Sequence, residues 1–154
     1  MTLASSKRVA LLGSATTVAA LGIACIASAA SPNEIAARET AAGIKARLAS
    51  DGYAAMTWNF EAIAPRPVAG FYVDGDFATS HSFRVDVVVF KTASGAAAYA
   101  RWAHGTYDRK YAASTAIKQS GIAVYIASSD KQLSGYPALR RTDVNRILML
   151  AIGR

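Results

Sequence analysis

The stretch His81 to Lys91 constrains the fold more than any other. Phe83, Val85, Val87 and Val89 alternate with Ser82, Arg84 and Asp86, which is the period of a strand with one apolar face. Val88 and Phe90 then break the alternation, so that end of the strand is expected to be covered on both faces. Such a strand is not stable alone. It needs paired neighbours and a packed layer, and the chain must supply both.

Sheet partners are legible on either side. Tyr53 to Phe60 places Met56, Trp58 and Phe60 in alternation. Pro65 and Pro67 then break the chain into a loop. Phe71-Tyr72-Val73 and the residues after Asp76 flank Asp74-Gly75, a pair suited to a tight hairpin turn. Gly121 to Ser128 carries Ile122, Val124 and Ile126 on one face, and Thr115 to Gln119 pairs with it as a short arm.

Three helices are predicted as cover. Ser31 can cap the first, Pro32 suits its first position and Glu34 completes a capping box. Ala37, Ala41, Ile44 and Leu48 share one face. Lys45 and Arg47 complement the negative end, and Gly52 stops it. A second helix spans about Ser94 to Tyr111, with Tyr99, Ala103, Tyr107 and Tyr111 in line and Trp102 beside them. A third opens at Pro137, buries Val144, Ile147, Leu148 and Ala151, and ends at Gly153.

The order α, several β, α, β, α points to an α+β class. The expected architecture is an antiparallel or mixed sheet of about four to five strands with helices packed on one face. A ferredoxin-like arrangement leads, with a crossover between His81 and Ser128. A cystatin-like helix-on-sheet layout comes second.

The N-terminus reads differently. Lys7 and Arg8 are the only charges before Glu34, and Val9 to Ser31 is uncharged. That run is apolar and closes on Ala27-Ser28-Ala29-Ala30, the small-residue end of a secretory signal peptide. Residues 1–30 are therefore expected to be a signal peptide or signal anchor, and 31–154 a single globular domain. The expected localisation is exported: secreted, periplasmic or cell-envelope. Two alternatives are an anchor through residues 9–30 and a lipoprotein through Cys25. Gly22 stands where a lipobox wants Leu.

The chain of 154 residues has 17 Lys+Arg against 10 Asp+Glu. Without Lys7 and Arg8 the balance is 15 against 10, or +5. That basic surplus suits an anionic envelope polymer, a membrane surface or a protein partner; nucleic acid is disfavoured. Cys25 is the only cysteine, so a cleaved domain is disulfide-free and has no thiol for catalysis or metal binding.

Few residues invite chemistry. His104 and Asp108 are four apart on the second helix, so His104 is the candidate base and Asp108 its orienter, with Arg101 as an anion clamp. Asp74, Asp76 and His81 form a loose group, but Asp-Gly-Asp lacks the further ligands of a calcium loop, and no metal is expected. Tyr99, Trp102, Tyr107 and Tyr111 suit a stacking platform or a core-facing stripe. Arg109 and Lys110, with Arg101, and Arg140 with Arg141 are candidate binding cations. No Gly-x-Ser-x-Gly, phosphate-loop, His-Glu-x-x-His or dinucleotide pattern occurs, and no cofactor is expected. The sequence favours an exported, non-enzymatic small binding or interaction module; the alternative is a small hydrolase or lyase using the His–Asp pair.

Overall fold

The computed structural model describes residues 30–58, 65–77, 81–108, 114–129 and 140–153. Helix α1 spans Pro32–Ser50. Strand β1 is Met56–Thr57, β2 is Ala69–Phe77 and β3 is His81–Val89. Helix α2, Ala93–Ala103, runs into a π-helical turn at His104–Asp108. Strands β4 (Thr115–Ser120) and β5 (Ala123–Ser129) precede helix α3, Arg141–Ile152. The five strands form one antiparallel sheet in the order β1-β2-β3-β5-β4.

The central strand is β3, paired with β2 on one side and β5 on the other. Because β3 and β4 both run antiparallel to β5, they are parallel to each other with β5 between them. Helix α2 makes that crossing.

Helices pack on the sheet, but not on a single face as expected. Phe83, Val85, Val87 and Val89 join Phe71, Val73, Tyr125 and the apolar stripes of α1 and α3 in one core. Val88, Phe90, Val124 and Ile126 form a second core with Ala96, Tyr99 and Ala103 of α2. The two cores use opposite faces because side chains alternate along a strand. The cause is local: β3 and β5 carry large apolar side chains on both faces, and each face requires cover. A ferredoxin-like arrangement keeps its helices on one side, so this division departs from it.

The helix α1 buries Ala37, Ala41, Ile44 and Leu48, the face its spacing predicts. Ser31 accepts from the Glu34 N–H at 3.3 Å. The Glu34 carboxylate does not close the box; it pairs with Arg38 and Lys91, each at 2.9 Å. Lys91 thereby ties the end of β3 to the first turn of α1. In α3, Val144, Ile147, Leu148 and Ala151 are buried as read. Its N-cap is Arg140, and Pro137 lies outside the described residues.

Two strand expectations change. Asp74 and Gly75 are not a turn; they lie within β2, opposite Arg84 and Phe83. A Cβ at Gly75 would come within 2.8 Å of both the Phe83 and Tyr53 rings, so glycine here serves close packing rather than chain reversal. Of Tyr53 to Phe60, only Met56 and Thr57 pair, with Tyr72 and Phe71. Met56 is exposed, Trp58 packs against the α2-side core, and Phe60 is outside the described residues.

Candidate functional site

The sheet has a concave site on one face and a polar surface on the other. The concave site is a cavity of about 260 Å³ where the C-terminal ends of α1 and α3 meet β2 and β3. Leu48, Val73, Phe83, Val85, Ile147 and Ala151 supply its apolar walls. Each comes from the inward stripe of its element. At the lip stand Asp51, exposed just past the end of α1, and the half-buried Tyr53. The Tyr53 ring meets the Phe83 ring edge-on, 5.7 Å between centroids, above the space that Gly75 leaves open.

Arg47 braces this end of the molecule. Its guanidinium donates to the main-chain carbonyl of Leu150 at 3.1 Å and to that of Ala151. These are carbonyls of the last turn of α3, where the helix dipole is negative. The sequence suggested that Arg47 serves α1; the fold sends it to α3. The buried Tyr125 lies beside it. Burial raises the Tyr125 phenol above its usual range, and Arg47 works against that rise.

On the other face, Ser82, Arg84 and Asp86 of β3 lie alongside Tyr72, Asp74 and Asp76 of β2. Arg84 Nε donates to Asp86 Oδ1 at 2.8 Å, and the guanidinium lies 3.7 Å from the Tyr72 ring centroid. The Asp86 side chain is only 16% exposed. Burial pushes its carboxyl above the usual range; Arg84 opposes this without cancelling it. Tyr99, 1% exposed, packs nearby in the α2-side core. Its phenol is pushed well up, first by burial and then by Tyr107 and Asp86.

The predicted chemical residues do not assemble around either feature. His104 opens the π-helical turn and is exposed. The four-residue alignment expected of His104 and Asp108 belongs to α-helical geometry, and the wider π turn changes it. The side chain of Asp108 lies outside the described residues. So do Arg109, Lys110 and Tyr111, and the side chain of His81. Arg101 is exposed on α2, while Arg140 and Arg141 are exposed at the start of α3. These cations are carried by helices on opposite faces of the sheet. Among the described residues, no group of three or more His, Cys, Asp or Glu is placed to hold a metal ion. Also among them, no helix is long and apolar enough to cross a membrane.

The aromatic line divides. Tyr99 and Ala103 are buried, Tyr107 packs partly against the same core, and Trp102 is half exposed. Sequence reasoning missed the cavity, since its walls come from four elements and no local pattern marks it. It also passed over Arg84 and Asp86, although two charges on the strand face shared with Val88 were a readable signal.

Compared with known proteins, the chain matches no family model, no curated protein and no solved structure. Fold and site therefore define the class by themselves: an α+β protein with a five-stranded antiparallel sheet covered by helices on both faces, and a small apolar cavity beneath two helix ends.

Proposed function

We propose that this chain is an exported, non-enzymatic binding module that takes a compact, apolar-bodied molecule into the cavity between α1, α3 and the sheet. The make-up of the cavity carries the reading. Among the described residues, the side chains of its walls are aliphatic and aromatic, and Asp51 and Tyr53 supply polar side chains at its lip. Ligand sites are commonly concave and mostly apolar, with a few polar groups that fix orientation. An engineered apolar cavity of about 150 Å³ already binds benzene, so about 260 Å³ accommodates a bicyclic body.

The lip adds selectivity. A carboxylate there repels an anionic head and favours a hydrogen-bond donor. Among the described residues, the lining includes no histidine, cysteine, serine or lysine, which supports holding a ligand over transforming one. The hydrolase or lyase alternative gains no support from His104, which is exposed on the α2 side of the sheet.

Calorimetric titration of the full-length chain with indole tests this reading. Indole has an apolar bicyclic body and one N–H donor. Saturable binding is expected, with indole-3-carboxylate binding at least about tenfold more weakly, a difference of about 1.4 kcal/mol. Ala151→Leu fills the cavity and is expected to abolish binding. No saturable heat from indole, or unchanged binding by a folded Ala151→Leu variant, overturns it.

A further inference from the structure

We propose that the ligand of the cavity is a cation: an alkylamine with an aromatic body, whose ammonium group is selected by Asp51. The proposal rests on the cavity reading above. It fixes the charge of the head group, where that reading asks only for a hydrogen-bond donor.

Asp51 stands where a carboxylate does not help the fold. It follows the last residue of α1, and the C-terminal end of a helix is its negative pole. Two cations near that end of α1, Lys45 and Arg47, are turned elsewhere. Lys45 Nζ lies 5.0 Å from the centroid of the Phe71 ring. Arg47 is bonded to the carbonyls of α3 and is not one of the residues lining the cavity. Among the described residues, no ion pair or side-chain hydrogen bond engages the Asp51 carboxylate. A negative charge is thus left without a partner beside a negative pole.

The backbone holds Asp51 in that place. Its N–H donates to the Arg47 carbonyl at 3.1 Å, the Gly52 N–H to the Ala49 carbonyl at 3.0 Å, and the Tyr53 N–H to the Leu48 carbonyl at 2.9 Å. Gly52 makes this turn at a φ of +89°, a conformation that favours glycine. The three donors satisfy carbonyls of the last turn and fix both polar residues of the lip. Being neutral, they add no positive charge.

The lining gives the ligand its shape. Phe83 and Tyr53 bring aromatic rings to the cavity, and Leu150 of α3 lines it while remaining 57% exposed. The mouth therefore has apolar surface on the α3 side and a carboxylate at the end of α1. A bare aromatic ring uses the walls alone. A ring with a short hydrocarbon arm ending in an ammonium also uses Leu150 and Asp51, with the charged tip kept in water.

The charge of the whole chain works against this choice. At +7, it attracts anions and repels cations at long range. A preference for an amine over an anion of the same shape must therefore arise locally, and among the residues lining the cavity Asp51 is the one that carries a charge.

The test is calorimetric titration of the full-length chain with three ligands that share one body: tryptamine, its neutral counterpart tryptophol, and indole-3-propionate. Tryptamine is expected to bind about fivefold more tightly than tryptophol at low ionic strength, the upper end for an exposed ion pair, and indole-3-propionate is expected to bind weakest. Added salt is expected to shrink the advantage, because the pair is open to solvent. Asp51→Asn keeps the shape of the side chain and removes its charge. The ratio of tryptamine to tryptophol affinity is expected to fall to about one in that variant. Its melting temperature is expected not to fall, since a like charge leaves the helix pole. Asp51→Lys is expected to reverse the order and favour indole-3-propionate. Equal affinity for tryptamine and tryptophol overturns the proposal, as does an advantage that survives in a folded Asp51→Asn variant. If indole still binds in either case, the cavity reading stands and only the amine assignment falls. No binding by indole or any of the three derivatives overturns both.

Discussion

The Arg47 guanidinium caps Ala151, donating to its main-chain carbonyl and to that of Leu150 at 3.1 Å. A side chain of α1 thus closes the negative end of α3, across 104 positions of sequence. Charge-assisted bonds of this kind are stronger than neutral ones, and the helix dipole adds to them. Arg47→Met is expected to lower stability by about 1–2 kcal/mol, read from the midpoint of urea denaturation. An unchanged midpoint would show that solvent satisfies these carbonyls as well.

Gly75 is expected to tolerate no side chain. A methyl group there meets the Phe83 and Tyr53 rings at 2.8 Å, and the rings must move. Gly75→Ala should cost about 1–3 kcal/mol, as overpacking does, and should weaken indole binding because both rings line the cavity. Thermal denaturation and calorimetry check the two effects separately.

Asp86 makes stability depend on pH in the sense opposite to an ordinary salt-bridged carboxylate. Burial raises its folded pKa despite Arg84. The folded chain therefore holds this proton more tightly than the unfolded chain. The resulting contribution is fully present below the unfolded value of about 3.9, and is lost as pH rises through the raised folded value. Asp86→Asn is expected to flatten that decline and to be at least as stable as the native chain at neutral pH. Glu34 acts in the other direction, since Lys91 and Arg38 lower its pKa; its stabilisation is present above the ordinary carboxylate value and is lost as pH falls through the lowered one. Comparing denaturation midpoints of Asp86→Asn and native chains across pH isolates Asp86. A steeper decline in the variant would refute the assignment.

His104 is exposed on the π-helical turn. His104→Ala is expected to change stability by no more than about 0.5 kcal/mol, the usual range at the surface, and to leave indole binding intact. A loss of indole binding in a folded variant would instead favour the histidine-based reading.

Export is expected to remove residues 1–29 or 1–30, because the uncharged run closes on Ala27-Ser28-Ala29-Ala30. Intact mass of the exported product checks this. A full-length membrane-bound product supports the anchor, and a lipid-modified Cys25 supports the lipoprotein.

Local spacing was enough to determine the buried face of α1, where Ala37, Ala41, Ile44 and Leu48 recur at helical intervals. It also determined the inward side of β3, from Phe83 to Val89, and the stripe of α3. Side-chain direction in a helix or strand follows from backbone period, so sequence alone contains it. Even the two-sided cover at Val88 and Phe90 was legible. Which helix would provide that cover was decided only by the tertiary structure, which set α2 across the sheet from α1 and α3. It also drew Asp74-Gly75 into a strand, sent Arg47 to α3, and joined Leu48, Val73, Phe83 and Ile147 around one cavity. These outcomes depend on contacts between residues far apart in the chain, and a local period carries no information about which distant surface will meet it.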